Sequence, residues 1–109
     1  LSSIFKKLTD QKKKIIGYGA TAKSCTVLNY CNIKKDDIKF FYDTTSFKIG
    51  KYLPGSKIKI KKYKKLKKKD ADFVFLGAWN FKDEIFEKEK FFINNGGKFI
   101  CHVPFPRII

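Results

Sequence analysis

The residues best suited to chemistry form the run Gly17-Tyr18-Gly19-Ala20-Thr21-Ala22-Lys23. The run reads G-x-G-x-x-A between an expected strand and the opening of an expected helix. In that setting Gly17 permits a tight turn, Gly19 admits backbone close to a phosphate, and Ala22 keeps the helix near the sheet. The helix N-terminus adds free N–H groups and the positive end of a dipole, an anion site. Thr21 contributes a hydroxyl and Lys23 a mobile cation. The competing reading is a tight turn with no ligand. Asp43 lies 21 residues beyond Ala22, where a carboxylate either holds ribose hydroxyls or caps its own backbone through Thr44 or Thr45. Trp79 either stacks on a base or sugar or packs against the next helix. Asn80 either bonds a ligand or caps a helix starting at Phe81.

Little else in the chain points to catalysis. His102 is the lone histidine and has no nucleophile pattern or metal spacing around it, so it reads as structural. Asp83, Glu84, Glu87 and Glu89 read as a solvated helix face, with Glu84 and Lys88 a favourable i,i+4 pair. Cys25, Cys31 and Cys101 contain no CxxC pair. No zinc site or disulfide framework is expected. On one helix, Cys25 and Cys31 would stand about 9 Å apart along the axis, too far to bridge. They read as small buried thiols of a reducing cytoplasm. No catalytic set and no metal site emerge.

The elements that must carry these residues follow from apolar periodicity. Helices are expected at 1–12, 20–31, 61–69 and 81–95, and strands at 13–18, 38–43, near 58–60, at 72–78 and at 98–103. Asn32 and Asn95-Gly96-Gly97 are expected helix stops, and Pro104 and Pro106 close the last strand. The continuous apolar run at 72–78 implies burial on both faces. Alternating strands and helices predict an α/β fold: a doubly wound, mainly parallel sheet of about five strands with helices on both faces.

The 109 residues allow one domain and no second core. No apolar run approaches the ~20 residues of a membrane helix. The chain begins at Leu1 and has no Met, which suggests a piece of a larger protein. A net charge of +15, from 25 basic and 10 acidic residues, first suggests a nucleic-acid partner. Yet only Arg107 among the basic residues is arginine, and nucleic-acid readers lean on arginine. The lysines, with abundant Phe, Ile, Tyr and Asn, reflect A+T-rich coding. The densest block, nine lysines in residues 57–69, receives no function. A stand-alone nucleotide- or NAD-binding module and a basic nucleic-acid-binding domain remain the rival readings.

GYGATAKSCTVLNYCNI, YDTTSFKIGKYLPGSKIKI, FLGAWNFKDEI and GGKFICHVPFP, in this order, resemble the C-terminal domain of sugar C-methyltransferases. These enzymes use S-adenosylmethionine to methylate a carbon of a nucleotide-linked deoxysugar. The resemblance covers residues 13–107 and implies a Rossmann-like C-terminal domain. It also implies that the zinc-binding module, the methyl-donor domain and the acid–base residues lie upstream. There a base would form an enolate beside the sugar keto group, and the enolate would attack the donor methyl. This domain would hold the nucleotide-sugar substrate against its upstream neighbour. The family motif carries over to Gly17, Tyr18, Gly19, Ala20, Ala22 and Lys23, to Asp43 and Lys51 through Gly55, and to Ala78, Trp79, Asn80 and Phe81. Thr21 and Ser24 stand where the family often has proline and glycine.

Overall fold

A computed structural model describes residues 1–102 and 106–109. Its strands are β1 (Ile15–Tyr18), β2 (Phe41–Asp43), β3 (Ile60–Lys62), β4 (Phe73–Leu76), β5 (Lys98–Cys101) and β6 (Arg107–Ile108). They form one sheet in the order β3-β2-β1-β4-β5-β6. The first five are parallel, and β6 pairs antiparallel with β5. The sheet therefore has six strands and not about five. The sixth lies beyond the expected stop, and Val103 and Pro104 lie outside the described residues.

Side chains alternate cleanly across this sheet. Ile15, Phe41, Ile60, Phe75 and Ile100 face one side and pack with Phe5, Leu8 and Leu28 of helices α1 (Ser2–Asp10) and α2 (Ala22–Tyr30). Ile16, Tyr42, Val74, Leu76 and Phe99 face the other side and pack with Ile85 and Phe92 of α3 (Lys82–Lys88) and α4 (Lys90–Asn94). Helices cover both faces, as the period-two burial of parallel strands requires. The fold is Rossmann-like: two crossovers run outward from β1 to one edge, and the chain then returns to β4 on its other side.

Helix ends follow the expected chemistry. Asn32 takes φ 56°, and the N–H groups of Asn32 and Ile33 donate to the carbonyls of Asn29 and Leu28. Gly96 takes φ 92°, and Gly96 and Gly97 donate to Ile93 and Phe92. Both are Schellman ends.

Three expectations fail. No helix forms over 61–69; β3 ends at Lys62, and the chain runs extended before a turn at 68–70. Tyr63 and Leu66 point inward, but nothing offsets the repulsion of so many lysines in one short helix. The helix expected at 81–95 is split: a 3₁₀ turn (Trp79–Phe81) leads into α3, and Glu89 separates α3 from α4. Glu89 itself is fully buried and not on a solvated face.

Candidate functional site

The sheet has a switch point between β1 and β4, where the chain leaves in opposite directions and a crevice opens at the strand carboxyl ends. A cleft of about 440 Å³ lies there. Tyr18, Gly19 and Thr21 contribute from the end of β1, and Asp43, Thr45 and Lys48 from the end of β2. Tyr63 follows β3, Ala78 and Phe81 follow β4, and Lys88 reaches in from α3.

The glycine loop folds for reasons partly different from those expected. Gly17 lies within β1, where a Cβ would stand 2.5 Å from the Phe41 ring; it makes room for packing and no turn. Gly19 carries the left-handed backbone, φ 89°, and its bare Cα faces Ala78, whose Cβ would be 2.7 Å away. Ala22 is exposed. The contact of α2 with the sheet is made two residues later by the fully buried Ser24. Its hydroxyl donates to the Gly19 carbonyl at 3.2 Å and lies 2.8 Å from the Thr21 hydroxyl. Gly77 completes this contact, since a Cβ there would meet both the Gly19 oxygen and the Ser24 Oγ. Thr21 is the N-cap of α2, accepting the Ser24 N–H at 3.1 Å.

Asp43 closes the loop from the side. Its Oδ2 accepts the Ala20 N–H at 2.8 Å, and its Oδ1 accepts the Thr45 N–H at 2.8 Å. Burial pushes the Asp43 carboxyl up. The N–H donors of Thr45 and Ala20, the Thr45 hydroxyl and the Lys48 ammonium outweigh burial and hold it below its ordinary value. Lys48 Nζ donates to the Ala20 carbonyl at 3.0 Å. The carboxylate expected on a ribose thus accepts from the backbone, one of the two alternatives set out for it.

The remaining site residues separate. Tyr18, Gly19, Thr21 and Asp43 share the cleft, while Ala20 is buried behind it. Ala22, Lys23, Trp79 and His102 border a second depression of about 430 Å³. Trp79 and Asn80 border a third of about 330 Å³, with Cys101 and Arg107. Asn80 caps no helix: α3 is preceded by Phe81, without a side-chain cap. The 3₁₀ turn carries Trp79 and Asn80 away from the cleft and brings Phe81 into it. His102 stacks on Phe75 with ring centroids 5.4 Å apart, and burial lowers its pKa.

The cleft also holds Tyr42, Lys48 and Tyr63, which no sequence pattern singled out, and Lys88, expected only as an ion-pair partner of Glu84. Lys88 makes no ion pair with Glu84; its ammonium sits 4.1 Å over the Tyr63 ring. Only strand register reveals Tyr18, Tyr42 and Tyr63 as neighbours, so no local pattern could have found them. Their rings meet edge to face, Tyr18 to Tyr63 at 5.7 Å and Tyr42 to Tyr63 at 6.0 Å. The three cysteines are free; Cys101 is buried, while Cys25 and Cys31 are only partly so. Among the described residues no group of three or more His, Cys, Asp or Glu could hold a metal ion. No helix of the described residues is long and apolar enough to cross a membrane.

Strand order, helices on both faces and a crevice at the switch point define a Rossmann-like α/β domain. Comparison with known families goes further: residues 1–104 match the C-methyltransferase C-terminal domain, and the chain belongs to that family. It is 42% identical over 97 residues to the C-methyltransferase NovU of Streptomyces niveus. The match covers 89% of this chain and 23% of that protein, so the chain spans under a quarter of its relative.

Proposed function

We propose that this chain is the single, substrate-holding C-terminal domain of a longer cytoplasmic C-methyltransferase, and that its cleft takes a nucleotide-linked deoxysugar. The observation that carries the reading is the make-up of the cleft. Three tyrosine rings and Phe81 offer aromatic surface. Lys48 and Lys88 supply ammonium groups that make no ion pair among the described residues. Aromatic surface with flanking cations suits a nucleoside diphosphate, whose base stacks and whose phosphates are anionic. Gly19, which lacks a side chain, and Thr21 line the same wall.

The methyl donor of such enzymes, S-adenosylmethionine, supplies the transferred methyl group. The Asp43 carboxylate accepts one backbone N–H on each oxygen and keeps further lone pairs, which suit the ribose of any nucleoside and do not single out the donor. The donor is assigned to an upstream domain of the same protein, against which this domain packs its substrate.

Calorimetric titration of the complete protein with UDP-glucose and TDP-glucose tests the proposal. Lys48→Ala is expected to weaken binding about 10-fold, the scale of one charge-assisted contact, and to leave S-adenosylmethionine binding unchanged. Equal affinity of wild type and variant for both sugar nucleotides would refute it.

A further inference from the structure

A buried carboxylate stands behind the aromatic wall of the cleft. Glu89, at the break between α3 and α4, has 0% of its surface exposed. A carboxylate is kept in such a place only if its oxygens are satisfied. Three donors satisfy it here. The Tyr18 hydroxyl donates to Oε2 at 3.1 Å, the Tyr63 hydroxyl donates to the same oxygen, and the Leu66 N–H donates to Oε1 at 3.1 Å. The donors come from the end of β1, from the residue after β3 and from the segment leading to β4. One side chain thus ties the end of β1 and the β3–β4 connection to the break between α3 and α4.

The two hydroxyls are consumed by this contact. Burial, and then Glu89, push both tyrosine pKa values well above the ordinary phenol value. Tyr18 and Tyr63 therefore present ring surface to the cleft and keep their polar ends turned to Glu89. The neighbouring residue, Lys88, lies over the Tyr63 ring, so the same helix break that buries Glu89 also sets the position of that ammonium.

We infer that Glu89 is a positioning residue for the ligand of this cleft: it clamps the hydroxyls of Tyr18 and Tyr63 and so fixes the aromatic wall that a nucleoside diphosphate sugar packs against. The inference rests on the reading of the cleft as a sugar-nucleotide site. It assigns the wall an affinity role without polar readout of the base, because its hydroxyls are already engaged.

Calorimetry on the complete protein separates positioning from mere support. Glu89→Leu is expected to weaken UDP-glucose and TDP-glucose binding by roughly 10-fold and S-adenosylmethionine binding by less than about 2-fold. Glu89→Gln retains an acceptor for Leu66 and amide hydrogens for the tyrosine oxygens, and should stay within about 3-fold of wild type. The double variant Tyr18→Phe/Tyr63→Phe keeps both rings and removes only the anchors. It should lose about 5-fold in sugar-nucleotide affinity, and it decides the matter alone if Glu89→Leu does not fold. Wild-type affinity in the double variant, or equal weakening of sugar nucleotide and donor in Glu89→Leu, overturns the inference. If Lys48→Ala still weakens binding, the cleft assignment survives that result. If Lys48→Ala is also silent, the cleft assignment falls with it.

Discussion

The Ala20 N–H donates to Asp43 Oδ2 at 2.8 Å, linking the glycine loop after β1 to the end of β2. The same carboxylate accepts the Thr45 N–H. One side chain therefore fixes two neighbouring cleft loops. Its folded pKa lies below the ordinary carboxylate value. The stabilisation is then fully present above that ordinary value, near 3.9, and is lost as pH falls through the folded pKa. Asp43→Asn should cost about 1–2 kcal/mol at pH 6, since a neutral amide accepts more weakly and offers one acceptor oxygen. Urea midpoints of wild type and variant between pH 6 and pH 3 should converge in the acid range. A gap that stays constant would show that the charge contributes nothing.

The hydroxyls of Thr21 and Ser24 form a second anchor under the same loop. Thr21 caps α2 through the Ser24 N–H, and the fully buried Ser24 hydroxyl donates to the Gly19 carbonyl. Thr21→Ala should cost about 1 kcal/mol, the ordinary value of a lost N-cap. Ser24→Ala leaves the Gly19 carbonyl without this donor and should cost about 1–2 kcal/mol. The two residues share one network, so the double variant should lose less than the sum. Denaturant unfolding of the three variants measures this coupling, and strict additivity would contradict it.

His102 makes a pH prediction of the opposite origin. Its ring stacks on Phe75, its buried Nδ1 has no hydrogen-bond partner among the described residues, and burial lowers its pKa. A histidine with a depressed folded pKa binds its proton more readily when unfolded. Its contribution is present above the unfolded value, near 6.5, and is lost as pH falls through the folded pKa. Thermal unfolding should show stability dropping from pH 7 toward pH 5, and His102→Phe should flatten that slope. An unchanged slope would assign the loss to other groups.

Much of this arrangement was legible in the chain because it rests on local pattern. β1, β4 and β5 carry apolar runs with glycine at their ends, and α2 carries its Thr21 cap and Asn32 stop within one segment. The cap of Asp43 on Thr45 was one of two readings its position offered, whereas its bond to the Ala20 N–H depends on strand register. Glu89 was not legible. Its partners Tyr18 and Tyr63 stand 71 and 26 residues away, and its neighbours Glu84, Glu87 and Lys88 imply a solvated face. Trp79 and Asn80 line other depressions than the cleft because the direction of the chain after β4 is set by a tertiary contact.

That contact is the approach of Gly77 to the β1–α2 loop, and it yields the last prediction. A Cβ at Gly77 would stand 2.2 Å from both the Gly19 oxygen and the Ser24 Oγ. The first of these is backbone and cannot rotate aside. Gly77→Ala should therefore destabilise by about 2–3 kcal/mol through overpacking, although the residue needs no unusual backbone conformation. Gly50 gives the contrasting case: φ is 87°, yet nothing lies within 4 Å of a Cβ. Gly50→Ala should cost only the left-handed backbone penalty, about 1 kcal/mol. Gly19 combines both, with φ 89° and Ala78 at 2.7 Å, so Gly19→Ala should cost more than Gly50→Ala by the packing component. Urea unfolding of the three alanine variants should place Gly50→Ala as the mildest. Gly77→Ala matching Gly50→Ala would mean that the two loops can part at little cost, and that the direction of the chain after β4 is set elsewhere.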